Sequence, residues 1–220
     1  MILAGNFFWG EPVLLANVWI CATVNMPTDE QLLADHLAGQ SESFELLVRR
    51  HAPELFRFLM RFTGSAATAE DLVQETLLKV YLSAESFDHS RRLKPWVFTI
   101  AANKARDLLR SRGRRPEVPL DAKIGSDEQE SQRFLDFLAD DAELPATALE
   151  RSEEEELIRS LVNELPAHLR EVLILCYYHH FPYKEIAEML EVPLGTVKSR
   201  LHAAVGRLGQ AYQLVIKNRK

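Results

Sequence analysis

Residues Tyr183 to Leu201 read YKEIAEMLEVPLGTVKSRL. Ile186, Ala187 and Leu190 fall on the inner side of a short helix, a proline and a glycine follow at Pro193 and Gly195, and a second apolar series then begins. In that series Val197, Leu201, Val205, Leu208 and Tyr212 share one sector at about 100° per residue. Two helices around a turn of a few residues make a helix-turn-helix, in which the first helix braces the second against a DNA backbone. Ala187 is small enough to let the two helices cross closely. Opposite the buried sector lie Ser199, Ala203, Gly206 and Gln210, which the periodicity predicts to be a low exposed ridge. Thr196, Arg200 and Arg207 border it on one side, Lys198 and His202 on the other. Such a ridge suits a major groove, with the flanking cations reaching phosphates or guanine edges. Cations also solubilise any exposed helix face, and it is the bracing helix and the turn that favour DNA here.

Outward from this stretch the chain reads as all-α, because apolar residues recur at helical spacing and no strand-like alternation of useful length appears. The expected architecture is two small helical domains joined by a flexible acidic linker, the C-terminal one a helix-turn-helix. Asp29 to Leu37 makes a short helix. Ser41 is placed to cap a longer one, with Phe44, Leu47, Val48, Leu55, Phe58, Leu59 and Phe62 inward and an end near Gly64. Thr68 is the expected cap of a third, buried through Leu72, Thr76, Leu77, Val80 and Tyr81. Pro95 opens a fourth that runs to about Gly113. Beyond the linker, Ala148 to Leu165, Pro166 to Tyr178, Tyr183 to Leu190 and a last helix from Pro193 complete the chain.

A net charge of -6 over 220 residues argues, as an average, against a nucleic-acid binder, but the average misleads. Thr28 to Arg115 holds 14 Lys/Arg against 12 Asp/Glu, Pro116 to Glu156 holds 3 against 14, and Leu157 to Lys220 holds 9 against 5. Two mildly basic blocks flank an acidic connector. The boundaries expected are an N-terminal extension over 1–27, a helical domain over 28–115, a self-repelling linker over 116–146 and a C-terminal domain over 147–220. Cys21 and Cys176 form neither a disulfide framework nor a metal pair, which suits a reducing cytoplasm. VLLANVWICATV at 13–24 is too short to span a bilayer, and no Lys or Arg precedes Arg49, so no membrane insertion is expected. Translation is expected to start at Met26.

Two further stretches carry candidate chemistry. AEDLVQETLLKVY sets Glu70, Asp71, Gln74, Glu75 and Lys79 on the polar side of an amphipathic helix. This is a protein-docking face or, on pattern alone, a solvated one. A di-metal reading with Glu70, Asp71, Glu75, His179 and His180 lacks the matching second ligand helix, and the CYYHH run at 176–180 lacks a second ligand pair, so neither metal nor cofactor is expected. RRLKPWVFTIAANKARDLLRSRGRR, Arg91 to Arg115, holds nine Lys/Arg and one acid. Clustered cations beside Trp96 and Phe98 suit an opened nucleic acid, with charges on phosphates and rings against exposed bases. The two rings do not both fit a core on one helix, and Trp96 reads equally as a core anchor or as a base contact.

DLVQET at 71–76, PWVFTIAANKARDLLR at 95–110, LPAHLREVLIL at 165–175 and the 183–201 stretch together resemble a bacterial extracytoplasmic-function sigma factor of the sigma-70 family, over roughly Thr28 to Leu208. The resemblance implies a non-enzymatic protein that binds core RNA polymerase, directs it to promoter DNA and helps open the duplex, with an anti-sigma factor as inhibitory partner. It implies that Asp71, Gln74 and Glu75 dock on polymerase. It assigns Arg91, Arg92, Lys94, Trp96, Asn103, Lys104, Arg106 and Arg110 to the minus-ten element, and Thr196, Lys198, Ser199, Arg200, His202 and Arg207 to the minus-thirty-five element. A helix-turn-helix regulator independent of polymerase is the alternative, and it has no need for DLVQET or the nine-cation segment. Glu191 stands in the turn where that family often has glycine, so it either avoids a left-handed conformation or bears a cost of about 1 kcal/mol.

Overall fold

The computed structural model describes residues 26–112 and 153–218, and in the second stretch the side chains from 156 to 217. Residues 1–25 of the expected extension and the expected linker at 116–146 lie outside the described residues. Every regular element among the described residues is helical, as the periodicity predicts.

Among the described residues the N-terminal module has four α-helices and one 3-10 turn, Ala84–Ser86. In α1 (Asp29–Leu37) Thr28 and Gln31 form a capping box, Thr28 Oγ1 accepting from the Gln31 amide at 3.2 Å and Gln31 Oε1 from the Thr28 amide at 2.8 Å. Asp29 then ties α1 to the next helix, its carboxylate 2.6 Å from Arg50 and 2.9 Å from the buried His51. Helix α2 (Ser41–Thr63) buries Leu47, Leu55, Phe58, Leu59 and Phe62. Its cap is Gln40, which makes no side-chain hydrogen bond, so Ser41 is the first helical residue and not the cap. The helix ends, as expected, at Gly64 in the left-handed region.

Helix α3 (Ala66–Ser83) is capped by Ser65, whose hydroxyl accepts from the Thr68 amide at 3.3 Å. The expected cap, Thr68, lies one turn inside and is buried, because Gly64 ends α2 so abruptly that the next helix begins at once. Tyr81 is half exposed, with its ring edge on Phe44, and does not belong to the buried face. Helix α4 (Leu93–Arg112) starts two residues before Pro95, and the orphan amide of Leu93 is satisfied from α1 by Glu30 Oε1 at 2.8 Å.

The C-terminal module comprises α5 (Glu153–Glu164), α6 (Ala167–Leu173) continued by a π turn (Ile174–Tyr178), α7 (Tyr183–Leu190) and α8 (Leu194–Asn218). Pro166 and Pro182 stand as caps before α6 and α7, and the Pro193 carbonyl accepts from the Thr196 amide at 2.8 Å to open α8. The turn residue Glu191 adopts φ 53°, ψ 44°, so the sequence bears the left-handed conformation without glycine. Ile186, Met189, Leu190, Val197, Leu201, Val205 and Leu208 are buried as the helix-turn-helix requires.

The two modules pack on each other. Helix α4 meets α7, and α2 meets the π turn together with α5 and α6. Phe98 is fully buried at this seam, 5.5 Å from Phe58 within its own module and 5.0 Å from both His179 and Phe181 across it. Trp96 is left half-buried against Phe87, at 5.0 Å. Phe98 is thus the core ring of α4, and Trp96 packs partly buried against the edge of that core.

Candidate nucleic-acid interface

Helix α3 buries Leu72, Val73, Thr76 and Val80 against the module core, which turns Asp71, Gln74 and Glu75 to solvent. Glu75 is 2.8 Å from Lys104 of α4, so one end of this acidic face is tied to the basic helix. Leu78 and Leu82 continue the face and are 59% and 70% exposed, which makes an acidic patch run into an apolar one. Sequence reading passed over these two leucines, although their spacing of four and seven residues from Asp71, Gln74 and Glu75 places them on the polar side.

The cations of the second candidate surface do not share one face. Asn103 and Arg110 are exposed on the side of α4 that carries Trp96. Arg106 donates to Asn103 Oδ1, and its Nε lies 3.3 Å from Glu171 Oε1 of α6, an ion pair too poorly aligned to be a hydrogen bond. Arg110 pairs with Asp107 at 3.3 Å on the same helix, and Arg91 with Asp88 at 3.6 Å. Arg92 reaches across the seam to Glu185 of α7, at 2.7 Å. Lys94 is 2.8 Å from Glu54 of α2 and close to the rings of Phe98 and Phe181, while Lys104 turns to α3. Each of these cations has an acid beside it, and for Arg92 and Arg106 that acid belongs to the other module.

On α8, Lys198, Ser199 and His202 are exposed, while Thr196, Arg200 and Arg207 are half-buried at its edge. The Ser199 hydroxyl donates to the Thr196 carbonyl at 3.1 Å. The predicted ridge is interrupted: Gly206 is buried and Ala203 partly packed, while Ala204 joins the core. The cause is that α5 and α6 cover the middle of α8 as well as α7 does, so its open face is confined to the first turns and to the C-terminal end beyond Leu208. Residues 196–202 hold five of the six residues expected to read DNA.

Glu171 is a charged group that sequence reading did not single out. It is 2% exposed, and burial pushes its carboxyl up to about 7 although Arg106, Arg200 and Arg110 all favour the anion. One carboxylate thus faces cations from both basic surfaces. The only hint in the sequence was an acid ahead of the apolar run VLIL.

Comparison with known proteins follows this division. The model for Sigma-70 region 2 matches residues 47–115, and that for Sigma-70, region 4 matches residues 155–208. The chain is 30% identical over 189 residues to the RNA polymerase sigma-H factor of Pseudomonas aeruginosa, covering 86% of this chain and 96% of that one. It is 36% identical over 172 residues to the ECF RNA polymerase sigma factor SigL of Mycobacterium tuberculosis, covering 78% and 89%. Among solved structures, the sigma factor RpoE in complex with the anti-sigma factor NepR from Bartonella quintana matches with a TM-score of 0.57 at 27% identity, over 78% of this chain and 98% of that one.

Proposed function

Because the chain belongs to the extracytoplasmic-function sigma factors of the sigma-70 family, we propose a residue-level division of labour between its two modules. The protein is an alternative sigma factor that binds core RNA polymerase and directs promoter recognition and opening. Residues 28–115 act as the polymerase-docking and minus-ten module, 147–220 as the minus-thirty-five module, and 116–146 as the linker between them. Asp71, Gln74 and Glu75 dock on polymerase. Trp96, Asn103, Arg110 and the neighbouring Arg91, Arg92, Lys94, Lys104 and Arg106 engage the minus-ten element. Thr196, Lys198, Ser199, Arg200, His202 and Arg207 engage the minus-thirty-five element. No catalytic step is assigned to any residue, the site of action is the cytoplasm, and an anti-sigma factor is the inhibitory partner, a reading supported by the complex of the Bartonella quintana relative with one.

The observation that carries this reading is the presence, in one chain, of an exposed acidic face on α3 and a braced, exposed first turn on α8. A regulator that ignores polymerase needs only the second. The test is capture of core RNA polymerase by the full chain. Wild type is expected to bind, and Asp71→Ala with Glu75→Ala to lose most of that binding. A wild type that does not bind core, or variants that bind as well as wild type, would refute the reading.

A further inference from the structure

We propose that Glu30, on the first turn of α1, is a positioning residue for strand capture: by accepting from the Leu93 amide it fixes the start of α4 and so aims the loop 88–92 and Trp96 at the opened minus-ten strand. The inference rests on the assignment of Arg91, Arg92 and Trp96 to that element and adds the residue that holds them in place.

The loop needs such a support. Its five residues, Asp88 to Arg92, are all exposed, and they hang between two buried posts, Phe87 at 5% exposure and Leu93 at 0%. The crest is a local turn, in which the Ser90 amide and hydroxyl donate to Asp88 Oδ1 at 3.0 and 2.7 Å and the Arg91 amide donates to the Asp88 carbonyl at 2.9 Å. That turn shapes the crest without setting where it points. Direction comes from the posts, and α1 packs beside both of them, on the Ala84–Ser86 turn before the loop and on α4 after it.

No residue next to the start of α4 can cap it. Arg92, just ahead of Leu93, carries a guanidinium that accepts nothing, and the first turn holds no acid. The acceptor comes instead from 63 residues away, as Glu30 Oε1 takes the Leu93 amide at 2.8 Å. Burial alone would raise this carboxyl, but the Leu93 amide and its own amide outweigh that and hold it below the ordinary range. A carboxylate at the positive end of a basic helix is doubly favourable. Glu30 is placed in turn by its neighbours: the Thr28–Gln31 capping box starts α1, and Asp29 pins it to Arg50 and His51 of α2. A line of contacts thus runs from α2 through α1 to the loop, and Glu30 acts on DNA only through the residues it aims.

The test measures, by anisotropy, the affinity of the full chain for a random-sequence single-stranded DNA pool and for a random-sequence duplex pool. Glu30→Gln and Glu30→Ala each remove one negative charge, so electrostatics alone would make both bind DNA more tightly than wild type, and equally so. Only glutamine keeps an oxygen that accepts from Leu93. Glu30→Gln is expected to bind single strands at least as tightly as wild type, and Glu30→Ala about tenfold more weakly than Glu30→Gln, because apparent affinity falls with the fraction of chains whose loop is held in place. Duplex affinity is expected to be equal in the two. Circular dichroism checks that the helices are kept; should Glu30→Ala lose them, Glu30→Asp replaces it, with its carboxylate one methylene short of Leu93 and the wild-type charge, and is compared with wild type. Equal single-strand affinity in the compared pair overturns the proposal, and so does a loss shared by single strands and duplex, which marks a general weakening of the fold. Arg91→Ala with Arg92→Ala reports on the assignment beneath it. If that chain loses single-strand binding while the Glu30 variants stay equal, the minus-ten assignment stands and Glu30 alone is removed; if it binds as wild type does, the assignment is refuted and the role of Glu30 falls with it.

Discussion

Protonation of His179 should loosen the contact between the modules, and the structure sets the size of the effect. In the closed chain its imidazole is pushed from 6.5 down to about 3, first because burial strips its water and then because Arg61, Lys94, Arg57 and His180 repel a proton there. Three of those four charges, and the Phe58 and Phe98 rings beside it, belong to the N-terminal module, so parting the modules returns His179 to an ordinary value near 6.5. The sign follows. A value depressed on closing means that the closed state has its full stability above about 6.5 and loses it as pH falls through that value toward 3. Between about pH 7.5 and pH 5.5 His179 gains a factor of roughly ten in proton binding in the open form, worth about 1.4 kcal/mol, and almost nothing in the closed form. This figure depends on the open value and hardly at all on how far below about 4.5 the closed value lies. Glu171, raised to about 7 by burial at the same seam, works with the opposite sign, because the closed form takes up its proton first as pH falls, so wild type alone does not isolate the histidine. His179→Phe keeps an aromatic plug and removes the titration. Single-molecule energy transfer between labels on the two modules gives the open-to-closed ratio for each chain. That ratio should rise about tenfold more in wild type than in His179→Phe over this pH range. Parallel pH profiles for the two chains would refute the reasoning.

Other outcomes follow from individual contacts. Arg200→Ala should weaken promoter binding by about 1 to 3 kcal/mol and relax preference at one position if it meets a base edge, whereas Lys198→Ala should lower affinity for all sequences and reduce the salt slope by about one. Anisotropy titrations across salt concentrations separate the two, and no change in either would remove α8 from the DNA. Leu78→Ser with Leu82→Ser should weaken capture of core polymerase by at least about tenfold if the apolar end of the α3 face is part of the docking surface, with circular dichroism unchanged. Glu191→Gly should raise stability by about 1 kcal/mol in urea denaturation, because φ 53° costs a side chain what glycine does not incur. Asp29, held down to about 2 chiefly by its hydrogen bond to His51, contributes about 2 kcal/mol that is present above its usual 3.8 and lost as pH falls toward 2; Asp29→Asn should flatten that part of the acid denaturation curve.

Helices were legible because each buries one stripe, and stripes are local. Leu55, Phe58, Leu59 and Phe62 recur at three and four residues, so α2 and its inner side could be read without knowing its neighbours. Caps were less legible, since Ser65 and Thr68 are both good caps and only the position of Gly64 decides between them. The upper turns of α8 misled for a different reason. Gly206 looks like part of an exposed ridge when α8 is paired with α7 alone, and its burial depends on α5 and α6, which approach from a part of the chain with no local relation to it. The seam was illegible altogether. Phe58, Phe98 and His179 come from three separate segments, and no spacing rule joins positions 58, 98 and 179.

The charge pattern explains why such a seam needs acids. Thr28 to Arg115 carries +2 and Leu157 to Lys220 carries +4, so bringing these blocks together is opposed by their net charge. The second block has only five acids, yet two of them, Glu171 and Glu185, sit where α6 and α7 meet Arg106 of α4 and Arg92 just before it. Placed elsewhere they would lower the net charge equally and leave the local repulsion in place. At the seam they convert like-charged surfaces into complementary ones; Arg92 with Glu185 is a partly exposed pair that contributes about 1 kcal/mol or less, and Glu171, buried with its carboxyl near 7, is only partly ionised, so the closure they support stays within reach of a competing partner. Polymerase on α3 or phosphates on α4 need only exceed a modest, distributed attraction to part the modules. A larger apolar seam would hold the free chain more firmly shut and make that release correspondingly harder.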